Sequence, residues 1–261
     1  MPAFQFTAEQ RATFERDGVV RFERFFDRAD IAAMAAAVWA DLHERHGVVR
    51  ERPETWTVER PMHFQTLKAS RAFARLKTPA TIALADALLG EGRWSTPTNW
   101  GQPLVTFPSP ADWRPNWHFD LAGPNYPWPL PLIRLFTFLE PTAPGGGGTL
   151  YVQGVHRLAM RLAGGVIASA KLRRRMIAAH PWFAALAKAP PGAHRALQTQ
   201  TCEIDGVEVG VRQMSGQPGD AILMHPLMLH SGVENAAATP RMMLVDTILA
   251  RPRTAAKAAP A

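Results

Sequence analysis

Residues 219–246 read GDAILMHPLMLHSGVENAAATPRMMLVD: an apolar run ending on His230, a turn-rich segment, and a second apolar run opened by Arg241. Short apolar runs bounded by Gly, Pro and Asn suit strands better than helices. The expectation is a pair of neighbouring antiparallel strands, Ala221–Leu229 and Arg241–Leu249. Side chains two apart on a strand share a face, so Met243, Val245 and Thr247 continue the face of Arg241. An imidazole and a guanidinium then look into one cavity.

The same texture extends back to Thr96. Further strands are expected at Gln102–Phe107, Trp117–Leu121, Ile133–Leu139, Thr149–Gln153, Thr201–Ile204 and Val207–Gln213, separated by Pro and Gly clusters. Asp205-Gly206 is a two-residue hairpin signal, since both positions need positive φ. The run Gly145–Gly148 reads as a turn and not as a phosphate loop, because no Gly-Lys-Ser/Thr or helix start follows it. Eight short strands predict a barrel or double sheet.

Ahead of them the chain is helical, with a short strand at Val19, Val20 and Phe22. Thr7-Ala-Glu-Gln10 fits a capping box, and Asp27 or Asp30 can cap a helix whose Ile31, Met34, Val38 and Leu42 recur at helical spacing until Gly47. A third helix is expected around Leu67–Lys77, and a fourth starts at Pro79 and stops near Gly90. An insertion at 157–196, with the basic cluster Lys171, Arg173, Arg174 and Arg175, reads as a solvated helical face or as a lid over a site. The resulting organisation is one domain over 1–250, with a helical flank at 1–95 and a β core at 96–250, then a flexible tail at 251–261.

Composition narrows the class. A 261-residue chain with 47% hydrophobic and 20% charged residues can bury a sizeable core, which excludes disorder as its main state. There is no membrane-spanning run, and the opening MPAFQFTAEQ has neither the basic start nor the apolar stretch of a signal peptide. With a single cysteine, Cys202, a reducing cytoplasmic setting is the expectation. The net charge of +7 fits an anionic ligand as well as a nucleic acid, but the basic residues are scattered and no aromatic-interleaved basic strand is present.

Candidate ligands stand out against that background. In His118-Phe119-Asp120 the imidazole and carboxylate sit two apart and can meet one metal. His230 supplies a second imidazole, completing a two-histidine, one-carboxylate facial set that leaves positions open on an octahedral iron(II). His225 is a rival, disfavoured because the eleven-residue step to Arg241 and the SGVEN turn start from His230. His156 suits a turn or supporting role. Among the tryptophans near HFD, Trp113 and Trp128 are candidates for lining a substrate pocket, the rest for the core.

The segments FERDGVVRFERFF, HFD, GGGGTLYVQGVHR and GD…H…N…R, in that order and over most of the chain, resemble the phytanoyl-CoA dioxygenase family of iron(II)- and 2-oxoglutarate-dependent oxygenases. The resemblance implies a double-stranded β-helix, or jelly roll, with N-terminal helices. It also implies His118, Asp120 and His230 as iron ligands, and Arg241 as the partner of the distal carboxylate of 2-oxoglutarate. The family often has Ser two residues after the distal histidine. Here Ser231 and then Gly232 follow, so Ser231 is carried as a substitute contact, together with Gln102 and Thr106 on the strand where relatives touch the cosubstrate.

The implied activity uses O2 to hydroxylate a carbon of a small molecule and releases succinate and CO2. Desaturation, cyclisation and epimerisation are outcomes of the same chemistry. A halogenase needs the carboxylate ligand replaced by a small residue, and Asp120 argues against that. Two further readings stay open: a non-catalytic basic jelly roll that binds nucleic acid or another anion, and a metal-free relative of the same fold.

Overall fold

The computed structural model describes residues 4–109, 113–121, 126–128, 130–164 and 168–253, so the expected tail falls mostly outside the described residues. Four helices and a short strand open the chain: α1 (Ala8–Asp17), β1 (Val19–Phe22), α2 (Arg28–His46), α3 (Gln65–Ala69) and α4 (Pro79–Leu89). Then come β2 (Trp94–Ser95), β3 (Gln102–Thr106), β4 (Leu132–Phe138) and β5 (Leu150–Gln153). The insertion forms α5 (Val155–Ala163), α6 (Ser169–Ala179), α7 (Pro181–Lys188) and α8 (His194–Leu197). The chain returns as β6 (Thr201–Ile204), β7 (Val207–Gln213), β8 (Ala221–Met224), β9 (His230–Ser231) and β10 (Arg241–Ala250).

Local chemistry sets the helix ends. Thr7 and Gln10 form the reciprocal capping box on α1, and the Asp27 carboxylate accepts from the Ala29 and Asp30 amides at the start of α2. The helix expected at Leu67–Lys77 is broken. α3 stops at Ala69, Arg71 takes a left-handed φ of 61°, and a 3-10 turn covers Ala74–Leu76. That left-handed kink interrupts the helical ladder and lets Phe73 and Leu76, both fully buried, enter the core.

The strands form two antiparallel sheets: a six-stranded one ordered β1-β8-β4-β10-β2 with β3 also on β10, and a four-stranded one ordered β6-β7-β5-β9. This is the jelly-roll arrangement with flanking helices. Pleat alternation divides the large sheet. Ile133, Leu135, Leu223, Met242, Leu244 and Ile248 pack beneath the N-terminal helices. Phe136, Phe138, Met224, Met243 and Val245 pack on the other face, in a core shared with the small sheet and the insertion. Arg241 and Thr106 are register partners at one end of the large sheet. Asp205 and Gly206, at φ 49° and 72°, make the expected hairpin between β6 and β7.

Two strand expectations are corrected. The run Ala221–Leu229 is not one strand, because β8 ends at Met224 and the chain crosses to the small sheet, where His230 and Ser231 pair with β5. Pro226 has no amide to give a ladder, and the His225 amide turns to the Gly18 carbonyl at 2.8 Å. His230 and Arg241 therefore belong to opposite sheets rather than neighbouring strands. Trp117–Leu121 is likewise no strand: it meets β9 at the single bridge His118↔His230.

Beneath α1, the rings of His156 and His225 lie 4.9 Å apart. His156 Nε2 donates to the Glu15 carbonyl at 3.0 Å, and His225 Nδ1 accepts from the Leu227 amide at 3.1 Å. Burial pushes His156 down to about 4, with Arg157 adding to the shift and Asp17 opposing it, and pushes His225 well below its ordinary 6.5. Both rings stay neutral in the fold and take up protons in the unfolded chain. Their contribution is complete above pH 6.5 and is lost as pH falls toward 4. His225→Asn retains an acceptor near Nδ1. Its melting temperature should fall less steeply than that of the wild type between those limits, each histidine contributing up to about 1.4 kcal/mol per pH unit. Asp246, raised to about 7 by burial, acts in the opposite sense in both proteins and cancels. Equal slopes in melts taken across this range would refute the assignment.

Candidate metal centre

Among the described residues, His118, Asp120 and His230 form a group whose ligand atoms all lie within 4.8 Å of one another. Paired backbone bonds set the spacing: the His118 and His230 amides each donate to the other's carbonyl at 3.0 Å. The two rings stand with centroids 4.2 Å apart. From behind, Ser169 at the start of α6 donates its hydroxyl to the Phe119 carbonyl at 2.9 Å, tying the insertion to the HFD triplet.

The tautomers follow from geometry. His118 Nδ1 lies 2.8 Å from the Asn116 carbonyl and His230 Nδ1 lies 3.0 Å from the Met228 carbonyl. A carbonyl only accepts, so each Nδ1 carries a proton and Nε2 is the nitrogen each ring has left for a ligand bond. Asp120 Oδ2 sits 3.1 Å from His230 Nε2 and 3.0 Å from Arg134 Nε, yet neither Oδ2 nor Nε has an aligned hydrogen bond. Two imidazole lone pairs and a carboxylate oxygen at this spacing repel one another unless a proton or cation lies between them. A divalent ion meets that demand, and the donor set suits non-haem iron.

Charges shift accordingly. Burial alone would raise Asp120, but His230, Arg134 and His118 outweigh it and hold the carboxyl at about 2. Burial and the neighbouring His230 charge lower His118. Arg241 is only 5% exposed. Its Nη2 donates to Thr106 Oγ1 at 2.6 Å, while its Nε is buried without a partner. Burial, and then the charge of Arg60, bring Arg241 down to about 9.

The structure joins Thr106 to Arg241 and gives the other candidates contacts of their own. Gln102, four residues along β3, is exposed and accepts from Lys68 Nζ at 3.1 Å. Ser231 pairs with Leu150 whereas His230 pairs with Tyr151, so the two side chains lie on opposite faces, and the Ser231 hydroxyl donates to the Gly232 carbonyl at 2.8 Å. Trp113 stacks on Arg60, while Trp128 packs against the core shared with the insertion. His225 is held by His156 and the Leu227 amide, apart from the triad. The basic cluster lies on α6, which turns Leu172 and Met176 into the core and whose Arg175 donates to the Leu162 carbonyl.

Sequence reasoning missed Arg134 as the partner of Asp120, although it is the one charged residue in LIRLFTF. Its position, alternate to Ile133 and Leu135, aims it away from the helices. It also donates to Thr247 Oγ1 at 2.5 Å. Arg60 carried no signal in its own loop.

The chain belongs to the phytanoyl-CoA dioxygenase (PhyH) family, whose match covers residues 14–243. It is therefore an enzyme of the non-haem iron- and 2-oxoglutarate-dependent type. No curated protein matches it. Among solved structures it is similar to EctD from S. alaskensis with 2-oxoglutarate and 5-hydroxyectoine, at 19% identity and TM-score 0.54, covering 94% of this chain and 76% of that one. It is also similar to the carbocyclase SnoK from nogalamycin biosynthesis, at 15% identity and TM-score 0.56, covering 97% and 89%. HygX from Streptomyces hygroscopicus, with nickel and 2-oxoglutarate bound, matches at 16% identity and TM-score 0.56, covering 94% and 88%. At these identities the likeness is one of fold.

A bare ligand cluster of this kind should be stabilised by a divalent ion. Manganese(II) or nickel(II) at about a hundred times its dissociation constant contributes about 2.7 kcal/mol, or roughly 5–10 °C in melting temperature for a chain this size. That shift should be seen in the wild type and in His225→Ala, and should vanish in His230→Ala. A shift retained in His230→Ala and lost in His225→Ala would reverse the choice of histidine.

Proposed function

We propose that this enzyme hydroxylates an unactivated carbon of a small organic molecule, converting substrate, 2-oxoglutarate and O2 into hydroxylated product, succinate and CO2. The observation that carries the reading is the grouping of His118, Asp120 and His230, and it is supported by a buried Arg241 that has no carboxylate partner among the described residues. When bound, iron(II) supplies the site of O2 activation, coupled to decarboxylation of the 2-oxo acid.

The chain's own groups take defined parts. His118 and His230 present Nε2 lone pairs locked by their Nδ1 bonds, and Asp120 presents a carboxylate held ionised beside Arg134. Arg241 binds the distal carboxylate of 2-oxoglutarate through its guanidinium fork, and Thr106 fixes the plane of that fork. Burial of Arg241 excludes competing water and strengthens the charge pairing. Asp120 occupies the position a halide would need, which favours oxygen delivery. Epimerisation and ring closure belong to the same reading, since solved structures of similar fold include an epimerase and a carbocyclase.

Arg241→Ala should weaken 2-oxoglutarate binding by roughly thirty-fold or more, the loss of about 2–5 kcal/mol expected for a buried charge-assisted contact. Its affinity for iron(II) should change little. Unchanged 2-oxoglutarate binding by calorimetry would remove Arg241 from this role.

The wild type with iron(II) and 2-oxoglutarate should slowly form succinate and CO2 in an O2-dependent, uncoupled reaction. With a true substrate, one atom of labelled O2 should enter succinate and a second the hydroxylated product. Absence of succinate across a broad panel of acyl, amino-acid and natural-product candidates, with tight DNA or RNA binding at physiological salt, would replace the reading with a binding module.

A further inference from the structure

We infer that Arg60 is a second guanidinium of the cosubstrate pocket, so that the distal carboxylate of 2-oxoglutarate is gripped between Arg241 and Arg60. The inference rests on the oxygenase reading above and assigns a residue from outside the β core to that site.

Arg60 lies in the loop between the 3-10 turn at Pro53–Thr55 and α3. The loop is pinned where it matters: the Phe107 amide donates to the Glu59 carbonyl at 2.9 Å, one residue from the Thr106 that receives Arg241. The Arg60 guanidinium carbon lies over the Trp113 ring, 3.0 Å from its centroid, a cation–π contact that limits how the fork can turn. A Cβ placed on Gly232, two residues beyond His230, would come within 3.0 Å of Arg60 Nη2 and 3.3 Å of the Trp113 ring. Glycine at that position leaves the guanidinium room beside the metal-binding segment.

The electrostatics point the same way. Burial lowers Arg60, as it does Arg241, and the positive charge of Arg60 is the second cause of the Arg241 shift. Among the described residues neither guanidinium forms an ion pair with a carboxylate. Two like charges brought together at a partly buried pocket repel, and an anion placed between them turns that repulsion into binding. 2-Oxoglutarate carries two carboxylates. One belongs with its 2-oxo group at the metal end, which leaves the other for the paired arginines.

The test is calorimetry of manganese(II)-loaded full-length protein with 2-oxoglutarate and with 2-oxopentanoate, which has the same carbon chain length but no distal carboxylate. Arg60→Gln should weaken 2-oxoglutarate binding on the order of tenfold, as expected for loss of a charge-assisted contact, and leave 2-oxopentanoate unchanged. Arg60→Lys, which keeps the charge but not the fork, should fall between. Wild-type affinity for 2-oxoglutarate in Arg60→Gln overturns the inference. So does an equal loss for both ligands, which would reduce Arg60 to packing on Trp113. If the wild type itself fails to bind 2-oxoglutarate, the oxygenase reading falls with it; if only the Arg60 variants match the wild type, that reading stands and Arg60 alone is reassigned.

Discussion

The two backbone hydrogen bonds exchanged by His118 and His230 are the constraint on which the site depends. The HFD triplet has no strand of its own, so this bridge decides where His118 and Asp120 stand. With it in place, both imidazoles bond backward to carbonyls two residues earlier in the chain and turn their free nitrogens toward Asp120. Loss of the bridge would separate the three candidate ligands even if every side chain were retained.

The rest of the molecule supports that bridge from two sides. The small sheet holds His230 through the pairing of β9 with β5, and the Val152 amide donates to the Leu229 carbonyl at 2.9 Å. The helical insertion grips the other partner through Ser169 and the Phe119 carbonyl, which gives α6 a positioning role distinct from its basic surface. The large sheet contributes Arg134 and Arg241 from strands whose opposite faces are buried beneath the N-terminal helices. Those helices act on the centre indirectly, by fixing the sheet that carries the two guanidinium groups.

Arg134 shows how one residue links these parts. It lies beside Asp120, donates to Thr247 on β10, and is close enough to feel the buried charge of Asp246 from the far side of the sheet. Asp246 in turn accepts from the Gly101 amide at 2.7 Å, where the chain enters β3. The metal end and the Thr106 end of the site are thereby joined through the strands between them.

Residue types and local signals were legible in the chain itself. The capping box at Thr7, the hairpin at Asp205-Gly206, the alternation along β10, and the ligand chemistry of His118, Asp120, His230 and Arg241 depend on neighbours within a few positions. The break at Pro226 was not legible in full, because an apolar run such as Ala221–Leu229 satisfies a single strand and a sheet-to-sheet crossing equally well. Nor could local pattern show that Arg134 meets Asp120, that Ser231 turns away from His230, or that Arg60 reaches the surroundings of Arg241. Those facts arise where segments distant in sequence are brought together, and the energy that brings them together is burial spread over the whole core. The sequence by itself determined which chemical groups were available; the tertiary structure decided which of them meet, because only packing closes the distances over which charges and lone pairs act.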